Sequence, residues 1–306
     1  MIDIKQILCP VDFSDASRHA LRHAVMLARW YESAVTVLHV FHVPSSPVVF
    51  SGYPEPIALP AMPVPPQEIR QQSEESLKRF VAGLETGGVS ISLRAEAADT
   101  VRGILTAAEA LPADVIVLGT HGRGGFDRAV LGSVTEKVLR KAACPVLTVP
   151  PPTAESADEV PVLLDRILCP MDFSDPSFTA MKYALSLAQE ADATLLLVHV
   201  LEEMPPRNPK LFGHFDLVGY ERALTDDAIE RLREAVPDAA RDWCTPEELV
   251  TRGKPYAEIL RLAEARDAHL IVMGVHGRSA VDLLVFGSTT HQVVRQAPCP
   301  VLTLRS

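Results

Sequence analysis

The sequence is short of cysteine and of basic charge, and it holds no long hydrophobic run. Its five cysteines are an odd number without a disulfide-scaffold or C-x-x-C spacing, which fits reduced thiols in a reducing compartment. No apolar stretch approaches the roughly 18 residues that a membrane-crossing helix needs. The opening MIDIKQILCPVDFSD has neither a basic leader nor a cleavage site after an apolar segment, so a cytoplasmic protein with no membrane partner is expected. A formal net charge of -10 repels polyphosphate backbones at long range, which argues against nucleic acid as a partner. It leaves open a compact site for one phosphorylated ligand, because backbone N–H groups at a helix end hold an anion whatever the global charge. Three chemical signatures are also missing. There is no G-x-x-x-x-G-K-[ST] loop, no G-x-G-x-x-G in the first strand-to-helix turn, and no Ser-His-Asp or Cys-His arrangement tied to the chain's glycine loops.

The chain does contain a duplication. QILCPVDFSD from Gln6 and RILCPMDFSD from Arg166 differ only at their first residue and at Val11 against Met171. Each precedes an amphipathic helical pattern and then a β-branched apolar run, AVTVLHVFHV and ATLLLVHVLE; later ADVIVLG matches AHLIVMG, and CPVLTVP matches CPVLTLR. At 306 residues the chain suits two domains of about 150 residues each, and the repeats set them at 1–150 and 164–306 with a linker at 151–163. In each half the order reads strand, helix, strand, loop and helix, strand, helix, strand, helix, strand. Apolar strands alternating with amphipathic helices predict an α/β fold with a mostly parallel sheet covered on both faces. The Pro-rich stretch 44–66 reads as an irregular loop before a helix starting near Gln67. Cys9 and Cys169, and Cys144 and Cys299, occupy matching places and read as small buried packing residues.

The most informative repeat is GTHGRGGFDRAVLGS, Gly119 to Ser133, against GVHGRSAVDLLVFGS, Gly274 to Ser288. Both carry G-x2-G-x9-G-S while the residues between diverge. VIVLG and LIVMG end strands on glycine, at the carboxyl edge where open parallel sheets bind ligands. Gly122 and Gly277 allow close backbone approach or positive φ. Gly132-Ser133 and Gly287-Ser288 stand directly before helical patterns, where free N–H donors and the helix dipole favour an anion. The spacing therefore describes a loop that leaves a strand, arches over a phosphate chain and returns to a helix N-terminus. A purely structural reading stands beside it: Ser before a helix is an N-cap, and Ser133-x-x-Glu136 is a capping box that needs no ligand. Asp12 and Asp172 follow strands at the same edge and read either as acceptors for a ribose or base, or as acids that help Ser14 and Ser174 start the next helix. Arg123 and Arg278 read as phosphate partners or as solvated loop arginines. His121 and His276, one per loop without a second ligand, read as loop hydrogen-bonding residues and not as a metal site.

Together these residues resemble the universal stress proteins, in the subset whose members bind ATP. The likeness covers nearly the whole chain as two tandem copies. It implies two tandem open-twisted parallel five-stranded sheets of order 3-2-1-4-5 with helices on both faces, a Rossmann-like arrangement akin to the adenine nucleotide alpha-hydrolases. It also implies that Pro10, Val11 and Asp12, with Val40 from the second strand, face adenine and ribose. Leu118, Gly119, Gly122, Gly132, Ser133, Val134 and Thr135 then hold ribose and phosphates. The matching second-half positions are Pro170, Met171, Asp172 and Val200, then Met273, Gly274, Gly277, Gly287, Ser288, Thr289 and Thr290. The ligand implied is ATP, or AMP or ADP, with Mg2+ as the ion that usually accompanies a triphosphate. The family's Gly-x-Pro turn after the third strand has a counterpart in RGKPYAEIL but not in AADTVRGIL, and His291 replaces the acid present at Glu136. The family pairs domains through the final strand; here PVLTV and PVLTL would satisfy one another as an intramolecular pseudo-dimer, with a homodimer through either final strand as a further option.

Four function classes are compatible with these features to different degrees. The first is a nucleotide-dependent regulator of the stress response, whose loops order on ATP binding and change a surface seen by as yet unknown regulatory protein partners. The second is a slow ATPase or autokinase. The third is a NAD or flavin protein, against which the missing dinucleotide fingerprint argues. The fourth is a scaffold that binds no nucleotide, against which the doubled glycine pattern argues. The regulator is the reading carried forward, with no catalytic residue assigned.

Overall fold

The computed structural model describes residues 2–42, 48–49, 57–58, 66–121, 131–152, 164–202, 216–244, 246–275 and 287–305. Ile7, Leu8 and Cys9 are buried one after another in β1 (Gln6–Pro10), the pattern of a strand covered on both faces. Ser14 caps α1 (Asp15–Tyr31) by accepting from the Ser17 N–H, and Glu32 in left-handed conformation ends it. There follow β2 (Ala34–Phe41), a short ribbon of β3 (Val48–Val49) and β4 (Ile57–Ala58), then α2 (Pro66–Val81), β5 (Ile91–Ala97), α3 (Thr100–Ala110), β6 (Val115–Gly119), α4 (Ser133–Lys141) and β7 (Val146–Val149). The second half repeats this as β8 (Arg166–Pro170), α5 (Asp175–Ala191), β9 (Thr194–Leu201), α6 (Leu217–Ala235), a 3-10 turn at Asp238–Asp242, β10 (Pro246–Arg252), α7 (Pro255–Ala265), β11 (Leu270–Gly274), α8 (Ser288–Gln296) and β12 (Val301–Leu304). The expected start near Gln67 falls one residue late, and the ribbon interrupts the stretch read as wholly irregular. Residues 153–163, most of the expected linker, lie outside the described residues.

Within each half the strands take the order 3-2-1-4-5 in that half's own sequence. They do not remain two sheets. They form one ten-stranded sheet, β10-β9-β8-β11-β12-β7-β6-β1-β2-β5, parallel within each half and antiparallel at the seam, where Val301, Leu302 and Thr303 face Thr148, Leu147 and Val146. Thr148 Oγ1 donates to the Val301 carbonyl and Thr303 Oγ1 to the Val146 carbonyl, each at 3.1 Å. This is the intramolecular pairing of final strands expected from the sequence. β7 lies between β6 and β12, and β12 between β11 and β7, so neither final strand is an edge.

Alternate side chains along the strands feed two layers that both run through the two halves. One gathers Ile7, Cys9, Val35, Leu147, Ile167, Cys169 and Leu302 with α1, α2, α5 and α6. The other gathers Leu8, Leu38, Ile116, Leu168, Leu196 and Val301 with α3, α4, α7 and α8. Cys9 and Cys169 are fully buried packing residues as expected; Cys299 is also buried, whereas Cys144 is only partly so. Burial pushes the Cys299 thiol up to about 12 and the Cys144 thiol up to about 11.

The glycines that end β6 and β11 have a packing reason. A side chain begun at Gly274 would put its Cβ 2.8 Å from Pro176 Cβ and 3.1 Å from the Pro176 carbonyl carbon; at Gly119 it would lie 3.2 Å from the Ala16 carbonyl oxygen. The first turn of α5 or α1 thus sits directly on the strand end. Gly274→Ala is expected to lower unfolding stability by about 1–3 kcal/mol, as overpacking does, and Gly119→Ala by less, which paired urea titrations will read. Equal and negligible losses would show that α5 does not press on β11 this closely.

Candidate functional site

The site is built at the carboxyl edge, beginning with the turns that leave β1 and β8. The Val11 N–H donates to the Leu38 carbonyl at 2.8 Å and the Met171 N–H to the Val198 carbonyl at 2.7 Å, so the ladder reaches one residue beyond each strand. The chain then turns sharply, with Phe13 at φ 66° and Phe173 at φ 61°, a left-handed conformation that costs a non-glycine residue about 1–3 kcal/mol. The turn brings the Asp12 Oδ1 within 3.1 Å of the Ser14 N–H and 2.5 Å of Ser14 Oγ. Ser14 Oγ in turn accepts from the Ser17 N–H at 3.2 Å. The second half repeats it: Asp172 Oδ1 accepts from the Ser174 N–H at 3.0 Å and from Ser174 Oγ at 2.5 Å. The helix-starting role of the two aspartates is therefore present in the structure, and Asp172 also lines a cleft.

The other wall comes from the end of β6 and the start of α4. The Thr120 N–H reaches the Val149 carbonyl and the Gly132 N–H returns to the Thr120 carbonyl at 2.8 Å, which closes the base of the glycine loop. In the second half the Gly287 N–H donates to the Val275 carbonyl at 3.1 Å. Thr135 Oγ1 donates to the Gly119 carbonyl at 2.9 Å and Thr290 Oγ1 to the Gly274 carbonyl at 3.0 Å. These buried hydroxyls tie helix to strand. The capping box is corrected. Gly132 and Gly287 are the N-caps, and neither helix has a side-chain cap; Ser133 is already the first helical residue and is exposed, while Glu136 pairs with Arg140 at 2.8 Å. The first-turn N–H groups of α4 and α8 are thus not covered by a capping side chain, the arrangement that suits an anion.

In the second half these walls enclose a cleft of about 350 Å³. Every described second-half candidate lines it: Pro170, Met171, Asp172, Val200, Met273, Gly274, Gly287, Ser288, Thr289 and Thr290. In the first half Pro10, Val11, Asp12, Val40, Leu118, Gly119, Gly132, Ser133, Val134 and Thr135 hold the matching places in β1 and the turn after it, in β2 and β6, and at the cap and first turn of α4. Gly122, Arg123, Gly277, Arg278 and His276 lie outside the described residues. His121 makes the loop contact expected of it, its Nδ1 lying 2.8 Å from Thr120 Oγ1, and among the described residues no cluster of His, Cys, Asp and Glu could hold a metal ion.

Residues overlooked in the sequence also line the second cleft, among them Ser177, His199, Glu202, Pro255 and Ile259. His199 was legible in principle, since LHV and VHV repeat at matching places in the second strands. The halves differ at the third strand's exit. Gly253, at φ 143°, leads to Pro255 in the first turn of α7, whereas Asp99 caps α3 by accepting from the Arg102 N–H at 3.1 Å. Glu258, which accepts from Thr251 Oγ1 at 2.6 Å and from Arg261 at 2.8 Å, stands where the first half has Gly103, whose missing Cβ would lie 2.9 Å from Val40 Cγ1. Hydrogen bonds from Arg261 and Thr251 hold the Glu258 carboxyl below its usual range.

This doubled arrangement has close counterparts. The profile of the universal stress protein family matches residues 3–150 and again 164–305. The chain belongs to the universal stress protein family. A universal stress protein of Mycolicibacterium smegmatis is 28% identical over 304 residues, covering 98% of this chain and 96% of its own. One from Methanocaldococcus jannaschii is 35% identical over 151 residues, covering 49% of this chain and 85% of its own. The crystal structure of a universal stress protein from Archaeoglobus fulgidus superposes with a TM-score of 0.67 at 22% identity, over 98% of both chains, which establishes the fold. In this universal stress protein, no described helix is long and apolar enough to cross a membrane.

Proposed function

We propose that this tandem universal stress protein binds an adenine nucleotide, ATP or its AMP and ADP forms, and acts in the cytoplasm as a nucleotide-dependent regulator. The observation that carries the reading is the second cleft. Its volume of about 350 Å³ falls in the range of small-molecule sites. Its two ends are chemically unlike: Met171, Val200 and Met273 offer an apolar bed for a base, and the first turn of α8 offers amides for phosphates. Asp172 between them is a carboxylate acceptor for ribose hydroxyls. These residues fit the nucleotide; for Mg2+ the cleft supplies few carboxylates, which accords with an ion carried mainly by the phosphates.

The test is direct. Small molecules released from purified protein, identified by mass spectrometry and counted per chain, are expected to include an adenylate. Calorimetry with ATP is expected to show binding at the second cleft at least, and ATP left intact over hours supports the regulator, whereas steady ADP release supports an ATPase. Retention of NAD or flavin, or indifference to millimolar adenylates, would overturn the reading.

A further inference from the structure

We infer that His39 and His199 are positioning residues, each latching the turn that carries Asp12 or Asp172 to the second strand of its own half. The inference rests on the adenine-nucleotide reading and names what sets the carboxylate in place. Pro10 pairs with Leu38 and Pro170 with Val198, so His39 and His199 stand opposite Val11 and Met171, one step further along. There each imidazole takes up the carbonyl of the facing residue: His39 Nδ1 lies 2.9 Å from the Val11 oxygen and His199 Nδ1 2.6 Å from the Met171 oxygen. A carbonyl only accepts, so the Nδ1 of both rings carries the hydrogen.

The same ring meets the residue on the other side of the aspartate. Phe13 stacks on His39 with centroids 4.3 Å apart, and Phe173 on His199 at 4.7 Å, both tilted by about the same angle, 37° and 40°. Each aspartate is thus flanked by a carbonyl held by the imidazole and by a left-handed phenylalanine resting on it. A left-handed phenylalanine persists only when its surroundings fix it. The phenylalanines have further neighbours, Phe80 edge-on to Phe13 at 5.5 Å and the Arg231 guanidinium over Phe173 at 3.9 Å. These two outer neighbours are of different kinds, an aromatic ring and a cation. The imidazole and its carbonyl are the part of the latch that the two copies share, and in the second half His199 also lines the cleft.

The experiment is calorimetric titration of the full chain with ATP and with 2′,3′-dideoxy-ATP, using His199→Leu, His199→Asn, Asp172→Ala and the double variant His199→Leu/Asp172→Ala. The first half, unaltered, serves as the folding control. His199→Leu keeps the bulk and loses the donor; it is expected to weaken ATP about tenfold at one site and to leave dideoxy-ATP nearly unchanged there. His199→Asn, whose amide can donate to the Met171 carbonyl, is expected to recover most of the loss. The double variant is expected to bind no worse than Asp172→Ala, because the histidine acts through the aspartate. Equal losses for both ligands, additive losses in the double variant, or a His199→Leu chain that binds like the wild type would overturn the inference alone. A wild-type chain that takes up neither ligand would overturn the nucleotide reading and this inference with it. Should His199→Leu unfold the second half, His39→Leu gives the same reading in the first.

Discussion

Leu147→Asp combined with Leu302→Asp is expected to divide the ten-stranded sheet into two halves that unfold separately. The two leucines face one another in the antiparallel seam, and each is only 6% exposed. Two carboxylates placed there would be buried without a cationic partner, at about 3–5 kcal/mol for an uncompensated charge, and like charges directly opposite add to the penalty. That sum is comparable with the whole stability of a small domain, about 5–15 kcal/mol. Each half nevertheless keeps its own five strands and both faces of helices, so the loss falls on the junction. Denaturation followed by circular dichroism should change from one transition to two. Gel filtration should show concentration-dependent association, because β7 and β12 become bare edges. A single transition at the wild-type midpoint would mean that the seam contributes little.

Acid is expected to strain the same region through His23. This residue lines a small apolar cavity of about 30 Å³ over the seam, together with Tyr31 from its own helix, Tyr183 and Leu187 from α5, and Asp114, Leu147 and Leu302 from below. Burial lowers the His23 pKa from 6.5 to about 4, with the charge of His19 acting in the same direction and the hydrogen bond to the His19 backbone opposing them. His19, beside Arg22, is lowered too, again first by burial. Asp114 is engaged by the Lys5 and Gln6 amides at 2.7 and 2.9 Å. The sign depends on which state takes up the proton first. As pH falls below the ordinary histidine value the unfolded chain protonates His23, while the folded chain resists until near its own lower value. Stability is therefore undiminished at neutral pH and falls between the two, by about 2 kcal/mol at about pH 5 from this group alone. Urea midpoints at about pH 7 and about pH 5 will measure it. His23→Leu should flatten the dependence, and an unchanged slope in that variant would assign the acid sensitivity to other groups.

Much of this molecule was legible in its residues. Strands such as Ile7-Leu8-Cys9 and Ile167-Leu168-Cys169 announce themselves because a segment covered on both faces needs consecutive apolar side chains. The helices declare themselves through caps such as Ser14 and Ser174, whose bonds to the third residue on are local. The glycines at 119, 132, 274 and 287 pointed to the carboxyl edge, and the structure places them there. The reading of Ser133-Val134-Thr135-Glu136 as a capping box failed because a sequence pattern does not say where a helix begins. The helix starts one residue earlier than the box requires, so Gly132 becomes the cap and Glu136 meets Arg140. His39 and His199 escaped notice because a polar residue inside an apolar run carries no periodic signal, and its partner lies on another strand.

The order of elements, the duplication and the placing of glycine where strands meet helices belong to the sequence alone, since each follows from neighbours a few residues apart or from comparing one half with the other. The register in which the two final strands meet, the meeting of α1 with α5 over a cavity, and the imidazoles set against the aspartate turns belong to the tertiary structure. They depend on which main-chain edges and which buried polar groups come within reach once the strands are stacked, and hydrogen bonds across such distances are chosen by geometry that no local pattern contains.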